Sequence, residues 1–232
     1  MTKTFALLVC GCALFAAGPA LAQDYDDDGK LPDTPADVFS GPHVELGVGV
    51  DHINFKSYDD LASTSNLSAN KTGLSYGGAI GYDTPLTERA TIGVEFGVAS
   101  GSNKYTNPAL VAGTFNTAHI NVAHDIWFGL RAGYAFSKKT QVFAKLAYTN
   151  TRFGVSGTDG SEVLYEGIAA NGARIGAGAE QRLSRMFYVK LEFDHSQYGS
   201  GAFNYNKTTP DASAFDLRAT REQAMASVGI RF

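Results

Sequence analysis

The residues best suited to chemistry lie in three short polar runs. Asp194-His195-Ser196 places a carboxylate, an imidazole and a hydroxyl side by side, the components of a nucleophile and its base. His124-Asp125 could supply a base and its orienting carboxylate. Near the N-terminus, Asp24, Asp26, Asp28 and Gly29 match the first half of a calcium loop, with Leu31 where such loops place an apolar residue. The twelfth position of that loop is Pro35 in place of a bidentate glutamate, so the run reads as a solvated acidic tail. The other two runs lie in segments of two-residue period, where adjacent side chains point to opposite faces. His195 then shares a face with Phe193, and Ser196 with Asp194. His124 is separated from Asp125 in the same way. The expectation is a non-enzymatic chain with no catalytic, cofactor-binding or metal residues. A nucleophile–base pair at His195 and Ser196 would need a bulge.

The segments that position these residues recur along the chain. Val44, Leu46, Val48 and Val50 alternate with Glu45, Gly47, Gly49 and Asp51. Leu74, Tyr76, Ile80 and Tyr82 alternate with Ser75, Gly77, Ala79 and Asp83. A third segment sets Ala90, Ile92, Val94, Phe96 and Val98 against Thr91, Gly93, Glu95 and Gly97. In a fourth, Ile126, Phe128, Leu130, Ala132 and Tyr134 oppose Asp125, Trp127, Gly129, Arg131 and Gly133. Val142, Ala144, Leu146 and Tyr148 oppose Phe143, Lys145 and Ala147. The weakest segment sets Ala173, Ile175, Ala177 and Ala179 against Arg174, Gly176, Gly178 and Glu180. Phe187, Val189, Leu191 and Phe193 oppose Tyr188, Lys190, Glu192 and Asp194. The eighth segment, Ala224 to Phe232, runs to the last residue with Arg231 on its polar face.

The connections alternate in length. Asp83 to Arg89, Phe136 to Thr140 and Arg182 to Arg185 are short, whereas residues 55–71, 100–117, 154–168 and 199–219 are long and polar. An even number of strands with long and short connections in strict alternation is the layout of an eight-stranded antiparallel transmembrane β-barrel, all-β, with both chain ends on the short-turn side. A soluble sandwich also alternates, but its polar face meets water, and glycines there would weaken the strands for no gain. Here that face carries Glu45, Asp51, Glu95, Asp125, Arg131, Lys145, Arg174, Glu180, Lys190, Glu192, Asp194 and Arg231 among glycines. Inside a narrow barrel the glycines make room for long side chains, and opposite charges pair. Tyr82, Tyr134, Phe136 and Phe232 fall at the short-turn ends, and Phe96, Tyr148, Phe153 and Tyr198 nearer the long connections, as two interfacial girdles.

The chain has 232 residues, 18% of them charged against roughly 25% in soluble proteins, and 26 are glycine. A net charge of −4 with no basic patch argues against a nucleic-acid partner. Residues 1–22 read as a secretory signal peptide: Lys3, an apolar stretch, then Ala20-Leu21-Ala22 before a mature start at Gln23. An uncleaved anchor is disfavoured by the short apolar core and Pro19, and a lipoprotein site at Cys12 by the very short stretch before it. Both cysteines, Cys10 and Cys12, lie in this segment, so the mature chain is expected to have no disulfide. Residues 23–42 are expected to form an acidic periplasmic tail, and 43–232 the barrel.

The run His124-Asp125-Ile126-Trp127-Phe128-Gly129-Leu130-Arg131-Ala132-Gly133-Tyr134-Ala135-Phe136 resembles the fourth strand of small opacity-type, OmpA-like outer-membrane proteins of Gram-negative bacteria. Gly176 to Glu180 and Tyr188 to Phe193 resemble their sixth and seventh strands, and Val228-Gly229-Ile230-Arg231-Phe232 is similar to the C-terminal signal read by the barrel-assembly machinery. The resemblance implies a cell outer-membrane location and contact with lipid and lipopolysaccharide. Those motifs describe a barrel and no activity; the four long loops, rich in Ser, Asn, Thr, Gly and Tyr, point to a structural or surface-interaction role, with a host or surface ligand there. A narrow passive pore is the alternative, and a lipid-modifying hydrolase a remoter one.

Overall fold

The computed structural model describes residues 34–57, 68–102, 104–108, 117–158, 163–199, 202–203 and 217–232. Its strands are β1 (Gly41–Ser57), β2 (Ser68–Pro85), β3 (Ala90–Gly101), β4 (Lys104–Pro108), β5 (Thr117–Ala135), β6 (Thr140–Thr158), β7 (Val163–Arg182), β8 (Phe187–Tyr198), β9 (Ala202–Phe203) and β10 (Leu217–Arg231). β4 continues the pairing of β3 along β5, and β9 continues that of β8 along β7. Ten strands thus make eight staves, each antiparallel to its neighbours. β1 pairs with β10 from His43↔Arg231 to Ser57↔Leu217, which closes the sheet.

Closure follows from the solvent. Hydrocarbon offers no partner for a free N–H or C=O, so a spanning sheet has to satisfy its own edges. Side chains then divide by parity. Val44, Leu46, Val48 and Val50 all point outward, Leu46 being 69% exposed, whereas Arg131, Arg174 and Arg221 are among the most buried side chains. Apolar outside and charged inside is the reverse of a soluble fold. Outward Ile80, Phe96, Phe128 and Tyr148 line up through the register of β2, β3, β5 and β6.

The three short turns share one design. Leu86, Phe136 and Leu183 begin them, each an exposed apolar residue, and each amide donates to the carbonyl of residue 90, 140 or 187. Next in each comes Thr87, Ser137 or Ser184, whose hydroxyl oxygen accepts from amides two or three residues on. These hydroxyls hold the turn in place of further backbone pairing.

Two expected boundaries shift. The strands run past the alternating segments: β6 reaches Thr158 and β7 starts at Val163, inside the expected connection 154–168, and β10 starts at Leu217 instead of 224. In β10 outward Thr220 and Glu222 and inward Arg221 and Gln223 are all polar, so the two-residue period fades there while the hydrogen-bond ladder continues. The end of the expected tail, residues 34–42, is also folded. Thr34 caps a short helix, α1 (Pro35–Val38), in a capping box with Asp37. Ala36 donates to the Glu88 carbonyl at 3.0 Å, and Val38 and Phe39 pack on Ala135 at the short-turn end. Gly41 then turns the chain into β1 with φ +102°, where a Cβ would lie 2.3 Å from the Phe232 carbonyl oxygen. Residues 1–33, including Asp24, Asp26 and Asp28, lie outside the described residues.

A Cβ on Gly97 would sit 2.0 Å from the Trp127 ring. Gly97→Val is therefore expected to abolish the faster-migrating unheated band on gels of outer-membrane extracts, while outward Leu46→Ile leaves it unchanged.

Candidate functional site: the filled barrel interior

The polar faces of all the staves converge on one ionic core with three levels. At the short-turn end, Asp83 of β2 accepts from Arg131 Nη1 at 3.2 Å and Arg231 Nη1 at 3.0 Å. Glu180 of β7 accepts from Arg131 Nη2 at 2.5 Å and Arg231 Nη2 at 3.1 Å. The two guanidiniums thus bridge the same two carboxylates. Arg131 also lies 4.1 Å from the centre of the Phe143 ring, and His43 Nδ1 is 3.6 Å from Asp83.

At mid-barrel, Lys190 pairs with Glu45, with Glu192 at 2.6 Å and with Glu95 at 3.7 Å. Lys145 pairs with Glu192, with Glu95 at 3.2 Å and with Asp194 at 3.5 Å. The Tyr188 hydroxyl donates to Glu45 at 3.0 Å, and Trp127 Nε1 to Glu95 at 3.4 Å.

Toward the long connections, Arg221 forks onto Asp51 through Nε at 2.9 Å and Nη2 at 2.7 Å, and its Nη1 donates to Asp125 at 2.6 Å. Arg174 donates to Asp125 through Nη2 and to Ser196 Oγ through Nε at 2.9 Å. Thr149 adds a hydroxyl to Asp125 at 2.6 Å. Thr151 Oγ1 lies 2.9 Å from both Asp125 Oδ1 and the Tyr198 hydroxyl.

All twelve charged residues assigned to the polar face are buried here. Asp83, placed on the polar face of its segment, joins them, and two partners were missed: His43 lies at the expected tail boundary, and Arg221 precedes the recognisable alternation. Stepping back in twos from Arg231 through Gly229, Ser227, Met225 and Gln223 reaches Arg221, so parity alone would have placed it. One girdle assignment is wrong. Tyr198 is 2% exposed and points inward, on the face of Tyr188, Lys190, Glu192, Asp194 and Ser196. Tyr82, Tyr134, Phe136, Phe232, Phe96 and Tyr148 are exposed outward. The Phe153 side chain lies outside the described residues.

The polar runs fall apart in space. Ser196 is fully buried and accepts from Arg174, whereas His195 is on the outer wall, 3.9 Å from Glu222. His124 is exposed and Asp125 buried. No proton can pass between a nucleophile and a base on opposite sides of the wall. What the interior does chemically is hold charges to one another. Among the described residues, a mid-barrel cavity of about 30 Å³ is lined by members of this network together with Gly47, Gly77, Ala79 and Met225, with space for one or two waters.

Residues 9–222 match the family model of the outer membrane protein beta-barrel domain. The chain belongs to this family. No curated protein sequence matches the chain. Among solved structures, Ail, the attachment invasion locus protein of Yersinia pestis, is 11% identical with a TM-score of 0.40, covering 83% of this chain and 99% of its own. Neisserial surface protein A is 14% identical at a TM-score of 0.37, covering 81% and 97%. The outer membrane protease OmpT from Escherichia coli is 10% identical at a TM-score of 0.47, covering 88% and 99%. As a member of this family the chain is an outer-membrane β-barrel.

Removing one partner from the ionic core leaves buried charge uncompensated. Arg221→Met is expected to lower the unfolding free energy by about 3–5 kcal/mol, read from urea titrations in lipid vesicles. Adding Asp51→Asn to that variant should restore part of the loss.

Proposed function

We propose that this outer-membrane barrel is a non-enzymatic structural and surface-interaction protein. Its wall contacts lipid and lipopolysaccharide, and its long extracellular connections meet surface or host ligands. The observation that supports this reading is the filled interior. Side chains from every stave cross the lumen, and the cavity of about 30 Å³ among them is far too small for a solute path. Opening a path would require separating buried ion pairs, which costs several kcal/mol for each group left without a partner. Activity is then left to the outer ends of the staves, where the segments 58–67, 109–116 and 204–216 are rich in Ser, Asn, Thr and Ala.

The same proposal covers biogenesis. Residues 1–22 act as a signal peptide cleaved before Gln23, and the exposed Phe232 at the end of β10 is read by the barrel-assembly machinery. Residues 23–33 are then an acidic periplasmic segment.

In planar bilayers the purified protein is expected to give no stable conductance. Large, regular single-channel steps would replace this reading with the narrow pore. Deleting segments of 58–67 or 204–216 should leave assembly intact and reduce binding to host cells or matrix. Unchanged binding in every deletion would confine the protein to an envelope-structural role.

A further inference from the structure

One stretch of the outer wall is hollowed. A groove of about 450 Å³ lies across β1, β2, β3 and β5, within the roughly 300–1,000 Å³ of small-ligand sites. Strand register orders its lining. Ile80, Phe96 and Phe128 form the row farther from the short turns, Tyr82 and Val94 the nearer one, and Phe232 lines it as well. All six side chains are exposed on the outside of the barrel. His43 and Glu95 border the groove from within, but their side chains are fully buried, so the open surface is apolar and aromatic.

The near end of the groove leads to cations. From Tyr82 and Val94, β2 and β3 run into the first short turn, where Arg89 is exposed. Arg89 Nη1 donates to the Phe136 carbonyl of the second turn at 3.2 Å, which brings Lys138 and Lys139 to the same end of the face. The Nε and Nη2 groups of Arg89 are left for another acceptor. Among the described residues, the exposed acids at this end are Glu88 and Asp37, and Asp37 already accepts from the Thr34 amide and hydroxyl.

The depth fits one leaflet. Phe96 lies seven residues beyond Arg89 along β3, roughly 18 Å of depth at the usual strand rise and barrel tilt. The hydrocarbon of one leaflet is about 15 Å deep. A chain whose phosphate sits at Arg89 therefore ends near the row of Phe96 and Phe128. An apolar groove that opens onto a cluster of cations matches a molecule with a hydrocarbon chain and an anionic head.

We propose that this groove holds one acyl chain of an anionic phospholipid from the leaflet on the short-turn side, with the phosphate at Arg89, Lys138 and Lys139. The site rests on the reading of the wall as lipid-facing and adds to it one preferred lipid on one face.

The full chain, folded in detergent, is mixed with equal amounts of phosphatidylglycerol and phosphatidylcholine, and retained lipid is counted by native mass spectrometry. Wild type should keep one phosphatidylglycerol per chain, preferred about tenfold over phosphatidylcholine. Arg89→Gln and Lys139→Gln should each remove most of that preference. Val94→Trp fills the groove and should lose lipid of either headgroup, whereas Ala177→Trp, outward on β7 across the barrel, should retain it. Every variant is scored first for the heat-dependent gel shift that reports a closed barrel. A closed wild-type barrel that inserts into vesicles but retains no phospholipid, or retains both headgroups equally, overturns the site and leaves the lipid-facing wall standing. Failure to insert at all would sink both. A lipid-free dimer, or preferential retention of lipid A when it is added in equal amount, overturns the choice of occupant.

Discussion

The ladder between β1 and β10 is the constraint on which the rest of the molecule depends. It joins the first strand to the last, from His43↔Arg231 to Ser57↔Leu217, and leaves the sheet without an edge. In hydrocarbon an unpaired backbone group costs several kcal/mol, so a sheet that failed to close there would not persist. Closure at eight staves also limits the lumen to a width that side chains can fill. Where bulky groups cross it, the adjacent stave has given up its own side chain. Gly97 lies under Trp127 and Gly229 under Tyr188, each too close to carry even a methyl group.

The ionic core then works against slippage. Each charged side chain inside has been taken out of water, a large penalty that only close, multiply bonded partners offset. Arg221 meets Asp51 on one neighbouring stave and Asp125 across the lumen. A one-residue slip of β10 would turn Arg221 and Arg231 toward lipid and bring Ala224, Ala226 and Val228 inside. The mixed-sign interior therefore selects the register, while the apolar exterior selects the environment.

The two ends of the barrel are built differently. The short-turn end is tightly tied: three turns of one design, the α1 segment packed on Ala135, and the terminal Phe232 amide donating to the Pro42 carbonyl at 3.0 Å. A rigid, filled cylinder anchored there leaves chemical variety to the opposite end. Segments outside the wall are free of the backbone and packing demands that lipid imposes on the staves.

Fold and location were legible because the bilayer imposes a period of two on every stave. Leu46, Val48 and Val50 could be assigned outward, and Glu45 and Asp51 inward, without any coordinates. The same parity separated His195 from Ser196. It lost its power wherever both faces are polar, which is why Arg221 was passed over and why the strands proved longer than their alternating cores. Tyr198 went astray because an aromatic ring suits either the lipid interface or, with its hydroxyl held by Thr151, the interior. Chain order and alternation thus determined that the protein is a barrel and most of the residues that line it, Arg221 and Tyr198 excepted. Only the tertiary structure decided how those residues meet, because charge pairing joins residues far apart in the chain, Arg221 with Asp51 on the adjacent stave and with Asp125 across the lumen, brought together by strand register and barrel closure, which no local pattern encodes.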